Sequence, residues 1–583
     1  MNMNRIKIIV AFTAISLSIN LFSQAKTVFV KACANGIDAT PYIVEAVNKC
    51  KRIKATKLVF EKGTYLCKPD FAPEKYVFTS NNDEGLKRFA FQLSGMSNLE
   101  IDGQGSTFMF DGYVCPFLLD SSKQISIKNF SIDYKRTFHS EGIIVAVYKD
   151  SLDVSFSADY PYMVNNNKLL FTGNQIIGKD NAGDPKRVIY PFWHLLEFDA
   201  VKREPAPYAL DYLNVQNMIV KELKPGVVRI FFPRLTGKVG NTLVFNATDR
   251  MVSAFTVSKS QDLNFTNLTL YHAGGMGIMA QHSKNITLNN VNIMAAPGRM
   301  LSLVADATHF VNCSGQITMQ NCKFESQMDD ATNIHGIYVK IIKLLSPTEA
   351  LVKLIHYQQF GFDFLVPNAK VEITEASSLN LYQENTVAKS VRLNKEYTQV
   401  TFAKPISDKV KLGDVIAASG NYPDINISNC TVQKNRARGF LLGSRGKIVI
   451  ENNYFHTHCA AINLEGDGRF WFEQSGVRNL IIRNNTFDNC NYSLMLGLGA
   501  IMTNSGIEES RKADSRYNQN ITIENNTFRL ANPCLLNMYS VDNLKFKNNK
   551  IETTSDYKLS EWWQTKNLKR FMITNSSNIK IEE

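Results

Sequence analysis

Three aspartates carry the strongest chemical signal in this chain. Asp306 precedes the adjacent pair Asp329–Asp330 by 23 and 24 residues, all within residues 299–336. Carboxyl groups brought together cannot all ionise unless their pKa values are pushed apart. That splitting is what a general acid and a general base need. One protonated carboxyl and one carboxylate that activates water make an inverting glycoside hydrolase when they stand roughly 6.5–9.5 Å apart, and a retaining one at about 5 Å. Taken this way, the aspartates need no metal and no cofactor.

What positions them is a repeat. The pattern apolar-x-apolar-x-Asn-x-x-apolar occurs at 263–270 (LNFTNLTL), 286–293 (ITLNNVNI) and 317–324 (ITMQNCKF). Its Asn falls at 267, 290, 321, 429, 452, 484, 525 and 548, with several gaps of 23 residues. A period in this range means stacked units. Alternating strands with a turn-forming Asn and no helix between units predict an all-β, right-handed parallel β-helix. Coils stacked about 4.8 Å apart put residues one period away in one column, so Asp306 and Asp329 are expected to face one groove from neighbouring coils. The same offset from the motif Asn predicts a column of Arg299, Asp330 and Arg438. Taken alone, such a column is equally the ion ladder that steadies a solenoid.

The repeat organises the chain into segments. Residues 26–139 read as an N-terminal part of the solenoid, with a capping helix begun by Asp38 or Thr40 with Pro41 in its first turn. A cap is needed because the open end of a solenoid must be covered. The motif is absent over 140–252, which carries Trp193 and His194 and reads as an inserted β-domain. Coils resume at 253–337, stop again for a second small β-barrel or sandwich at 338–420, and run from 421 to 583.

Composition excludes several alternatives. Hydrophobic residues at 44%, 11% of the chain aromatic, suffice for a long core, and the +12 charge is scattered. Nucleic-acid binding wants a basic stripe with stacking aromatics, and none stands out. Arg5 and Lys7, an apolar run from Ile8 to Phe22 and the small-x-small site Ser23-Gln24-Ala25 read as a signal peptide over residues 1–25, so the protein is expected to be exported, periplasmic or secreted. No cysteine marks a lipid anchor there, and no segment reads as a membrane span. The ten cysteines lack metal-type spacing and are expected to be reduced core fillers.

For sugar recognition the candidates are Arg299, Asn333, His335, Arg438, Glu465 and Trp471. His335 suits a satisfied turn or a ligand contact equally. Trp471, in the loop NLEGDGRFWFE (463–473) with Asp467 and Glu473, suits core packing or stacking on a sugar. His272, His282 and His309 are too scattered for a metal site.

Two resemblances bear on function. An Asp one coil before an Asp-Asp pair resembles the inverting polygalacturonases, but their Gly-His-Gly and Arg-Ile-Lys signatures are missing. The segment MDDATNIHG with the preceding ADATHF, the leader, and two β-domains set into a β-helix resemble glycoside hydrolase family 110 over the whole mature chain. That resemblance implies an exported, exo-acting, inverting α-1,3-galactosidase that removes terminal galactose from blood-group-B-type glycans. It further implies Asp306 as general acid, Asp329 and Asp330 as the water-activating pair, and a homodimer. A calcium-dependent polysaccharide lyase and a non-catalytic glycan-binding solenoid are the competing readings.

Overall fold

The structure is a computed structural model that describes residues 26–179, 181, 183–492, 497–558 and 566–583. The expected signal peptide lies outside these residues. The chain is a right-handed parallel β-helix with a helical cap and two inserted β-domains. The cap helix, Thr40–Ile53, starts on Ala39 with Pro41 in its first turn. Asp38, one residue earlier, accepts from the amides of Thr40 at 2.9 Å and Lys68 at 3.2 Å and so joins the helix to the first coils.

The Asn motif has a direct conformational cause. All eight motif asparagines adopt left-handed backbone, with φ between 53° and 58°. Asn tolerates this conformation better than other side-chain-bearing residues. Each thereby bends one strand onto a second face of the solenoid. In Gln261–Leu270 and Lys284–Ile293 the two faces pair in parallel on both sides of the bend, Leu263 with Ile286 and Leu270 with Ile293. Columns of side-chain amides bridge the coils: Asn290 donates to Asn267 at 2.9 Å and Asn267 to Asn129 at 3.0 Å. One position further on, the carboxamide oxygens of Asn485, Asn526 and Asn549 accept from the amides of Asn453, Asn485 and Asn526, each at 2.9 Å. Cys322 and Cys430 hold the equivalent places in earlier coils; all ten cysteines are free, nine of them buried and Cys33 half-buried. Inside, aromatic rings stack from coil to coil, Phe91 on Phe117 at 4.1 Å and Phe487 on Phe528 at 4.6 Å.

The first insertion is an antiparallel seven-stranded sheet over Ser140–Tyr148 to Thr242–Ala247, backed by a three-stranded sheet and closed on Phe156, Phe171, Phe192 and Phe245. The second is a six-stranded closed barrel. Its ladder passes from Thr332–Ser346 through Glu349–Lys353, Tyr397–Phe402, Leu381–Arg392, Lys370–Thr374 and Val415–Ala418 back to Thr332–Ser346. Thr332–Ser346 is one uninterrupted strand. Its first residues pair in parallel with Thr308–Val311 and Phe440–Leu442 of the solenoid, and its remainder belongs to the barrel.

Candidate active site

Asp306, Asp330 and Arg438 each stand two residues before a strand of one parallel sheet: Thr308–Val311, Thr332–Ser346 and Phe440–Leu442. The register pairs Thr308 with Thr332 and Thr332 with Phe440, so these three residues share a column. This corrects the sequence reading twice. The coil that separates the aspartates takes 24 residues, which stacks Asp330 rather than Asp329 on Asp306, with the Asp330 amide donating to Asp306 Oδ1 at 3.3 Å. The column reads Asp306–Asp330–Arg438, without Arg299. Between Asn290 and the next strand the chain makes a longer excursion than the motif spacing allows for, and Arg299 lies on it. Its guanidinium is committed to Asp133 at 2.6 and 2.7 Å.

Three arginines divide the charge. Arg438 forks onto Asp330 with two 2.9 Å bonds and reaches Glu465 at 3.4 Å. Arg250, on the segment leaving the first insertion, donates to Asp329 Oδ2 at 2.7 Å, while its own amide is held by Asp83 at 2.6 Å. Arg436 brings Nη1 to 4.0 Å from Asp329 Oδ1. It is fixed by Asp211 of the first insertion, which in turn bonds His194 at 2.6 Å. Opposite effects follow. Asp306 is 3% exposed, and burial, reinforced by the charge of Asp329, pushes its carboxyl up to about 8. Asp329 is half-buried, and although desolvation works against its charge, Arg250, Arg436 and Arg438 outweigh that and hold it below the usual range. Burial raises Asp330 to about 7 against the pull of Arg438. Glu465 is likewise raised to about 7 by burial, opposed by Arg438.

Around Asp306 the other candidates converge. His309 Nδ1 lies 2.6 Å from Asp306 Oδ2, and His309 Nε2 lies 2.9 Å from His335 Nε2. His335 Nδ1 donates to the carbonyl of Gly336 at 2.7 Å. Asn333 reaches Glu473 at 3.5 Å, and Asn81 donates to the same carboxylate at 2.7 Å. Trp471 is not a core residue: its side chain is 39% exposed, with its ring 4.7 Å from His356 and 5.3 Å from the exposed Phe470. Its amide and that of Phe470 are tied to Asp467.

The sequence pattern did not point to Arg250, Arg436 or His309 as parts of this site, whereas Glu473 stood among the residues of the 463–473 loop. Arg436 lies two residues before Arg438 in the turn that leads into Phe440–Leu442, where no strand alternation tells which way a side chain faces. Arg250 had no periodic signal, because it leaves an inserted domain. The three aspartates bring oxygens within 4.8 Å of one another and could offer them to a cation. Arg250 and Arg438 already occupy two of the carboxylates, which leaves the trio better matched to proton transfer. The nearest oxygens are closer than the separation expected from coil spacing for an inverting pair.

Carboxyls and arginines grouped on one face of a parallel β-helix, beside two inserted β-domains, fit a glycosidase of the parallel β-helix class. The chain matches the GLAA-B beta-barrel domain I over residues 140–243, the GLAA-B beta-barrel domain II over 349–416 and the right handed beta helix region over 415–582. It is 38% identical to alpha-1,3-galactosidase A of Shewanella woodyi over 90% of this chain and 84% of that one. It is 31% identical to alpha-1,3-galactosidase B of Bacteroides thetaiotaomicron over 94% and 89%, and 28% identical to alpha-1,3-galactosidase A of Bacteroides fragilis over 92% and 88%. The chain belongs to this family, glycoside hydrolase family 110.

Proposed function

We propose that the protein removes terminal α-1,3-linked galactose from blood-group-B-type glycans, acting from the chain end and with inversion. The observation that carries the reading is the opposite protonation tendency of Asp306 and Asp329 in one site, in a family whose relatives are named for this linkage. Asp306 keeps its proton at neutral pH and gives it to the leaving oxygen as the glycosidic C–O bond breaks. Asp329 takes a proton from the water whose oxygen bonds to the anomeric carbon. Asp330, locked in the Arg438 fork, orients that water.

Inversion rests on availability rather than on spacing. A carboxylate gripped by Arg250 with Arg436 beside it is a poor nucleophile, because attack on carbon would have to break those contacts. It still accepts a proton from water. Trp471, on the rim beside His356, offers a face for the sugar. Arg438, Glu465 and Asn333 supply planar hydrogen-bonding groups around it; His335, expected at the sugar, instead spends both ring nitrogens on His309 and the Gly336 carbonyl, and Arg299 acts only by clasping its loop to Asp133. No cofactor enters this scheme. The leader-like residues 1–25 support export, to the periplasm or beyond it. No helix among the described residues is long and apolar enough to cross a membrane. Pairing of two protomers is implied by the family resemblance.

Proton NMR of a blood-group-B trisaccharide digest in its first minutes tests this. β-Galactose is the expected first product. First-formed α-galactose would overturn inversion, and no released galactose from folded protein would overturn the substrate.

A further inference from the structure

Among the buried groups of the site, the two histidines beside Asp306 are unused by this mechanism, and their hydrogen bonds constrain where a proton can sit. The chain runs Asp306 Oδ2, His309 Nδ1 at 2.6 Å, His309 Nε2, His335 Nε2 at 2.9 Å, His335 Nδ1, and the Gly336 carbonyl at 2.7 Å. A carbonyl can only accept. His335 Nδ1 therefore carries a hydrogen. If His335 is neutral, its Nε2 is a bare lone pair, so His309 Nε2 must donate to it. If His309 is neutral too, its Nδ1 is bare, and the contact to Asp306 is a hydrogen bond only when Asp306 carries the proton. The carbonyl end is fixed in place. Gly336 pairs with Gln474 in an antiparallel ladder, and a Cβ added there would meet the Gln474 side chain at 2.2 Å.

We propose that the Asp306–His309–His335–Gly336 chain is a tautomer lock that keeps the catalytic proton on Asp306 until a glycosidic oxygen takes it. This rests on the galactosidase reading above. His309 and His335 are positioning residues that act through Asp306. The lock holds one mobile proton in all. Moving that proton onto either ring gives an imidazolium and an Asp306 carboxylate. The groups facing the chain from other elements are Asp329, Asp330, Arg250, Arg438 and Glu473. Arg250 and Arg438 favour the carboxylate, and Asp329 opposes it. Glu473, with Oε1 3.5 Å from His335 Nε2, favours an imidazolium. Burial opposes a charged ring: His309 is 1% and His335 4% exposed, and burial lowers both rings, His309 to about 4. When Asp306 protonates the leaving oxygen, the proton leaves the chain with that oxygen and Asp306 becomes a carboxylate facing a bare His309 Nδ1. That repulsion ends when a proton returns from solvent.

The test compares His335→Phe with His335→Gln, following kcat/KM against pH on the trisaccharide and on 4-nitrophenyl α-galactoside, whose leaving group needs little acid assistance. Phe removes the acceptor for His309 Nε2, freeing His309 to turn its hydrogen toward Asp306 and stabilise the carboxylate. Its alkaline limb should fall by about one pH unit, with at least about tenfold loss on the trisaccharide and little on the nitrophenyl substrate. Gln, which keeps an acceptor oxygen near the same place, should restore the limb. An unmoved limb, or equal losses on both substrates, overturns the lock. Should the wild type cleave neither sugar, the galactosidase reading fails, while the lock is still decided by nitrogen-15 NMR of the histidines in the wild-type protein. Neutral rings at pH 7 with His335 protonated at Nδ1 and His309 at Nε2 support it. An imidazolium at either, or His309 protonated at Nδ1, overturns it.

Discussion

Replacing Asp306 by Asn should make the protein more stable, by an amount that depends on pH. Asp306 holds its proton to about 8 in the fold, against an ordinary value of 3.8. Between these values the folded state binds more protons than the unfolded chain, so wild-type stability falls as pH rises from about 4 to about 8. Four units at about 1.4 kcal/mol each set a ceiling of roughly 6 kcal/mol. Asp306 shares its burden with Asp329 and Asp330 in the same site, and about half of that ceiling, near 3 kcal/mol, is the expected gain. Asn does not titrate, its carboxamide NH2 donates to His309 Nδ1 as the protonated acid does, and its oxygen still accepts from the Asp330 amide. With about 2.1 cal/mol/K of unfolding entropy per residue, 3 kcal/mol corresponds to about 2–3 °C for a chain of this length unfolding as one unit. Scanning calorimetry from pH 4 to pH 8 is the assay. The gap between Asp306→Asn and wild type should open from near zero at pH 4 to its full size at pH 8, with activity lost throughout. A gap that is flat, or that closes as pH rises, refutes the protonated Asp306 and with it the assignment of the acid.

The remaining expectations are local. Asp329→Asn should lower kcat by about 10²–10⁴-fold and, because the arginine-held carboxylate contributes stability above its ordinary pKa, lower the melting temperature at neutral pH rather than raise it as Asp306→Asn does, seen by steady-state kinetics and calorimetry on one preparation. Arg438→Leu leaves Asp330 buried without its fork and should cost about 3–5 kcal/mol in denaturant unfolding; a loss below about 1 kcal/mol would show that Asp330 is neutral in the native state. Trp471→Ala should raise KM about tenfold with kcat nearly unchanged, as expected for loss of a rim contact made equally in ground and transition states.

The solenoid was legible because one residue type did one conformational job at a fixed place in each coil. Every motif Asn bends the strand in left-handed backbone, and a residue that answers to backbone geometry leaves a mark in sequence. The trio was legible because three carboxyls within one coil length are too costly to be accidental. The one-residue error in register, and the misplacement of Arg299, share a cause. Coil lengths were carried forward from the motif Asn, across a turn whose length is free to vary, whereas the column Asp306–Asp330–Arg438 is set by the sheet on the other side of that turn. Arg250 and Asp211 belong to the first insertion, and nothing in a repeat pattern tells which face of the solenoid an inserted domain leans on. Trp471 could be read either way because an aromatic in a Gly-rich loop carries no periodicity.

The uninterrupted strand Thr332–Ser346 also sets the order in which the chain can assemble. Its solenoid end pairs with Phe440–Leu442, 108 residues away in sequence, and a second long gap, of 138 residues, separates Lys123 from its partner Gln261 across the first insertion, whereas uninterrupted coils such as Gln261–Leu270 and Lys284–Ile293 are 23 apart. By loop-closure entropy alone the longer closure costs about 1–1.5 kcal/mol more from a disordered chain, and a barrel that folds first shortens it. Coils on the N-terminal side of Thr332 and those after Val415–Ala418 can therefore nucleate separately, as repeat arrays do, and join only once the barrel has brought their ends together. The column Asp306–Asp330–Arg438 straddles that seam. Its third member arrives from the far side, so the site is completed only when that junction forms, and slow folding of the barrel delays the appearance of activity more than the appearance of β-structure. Refolding followed in parallel by circular dichroism and by turnover should show activity lagging.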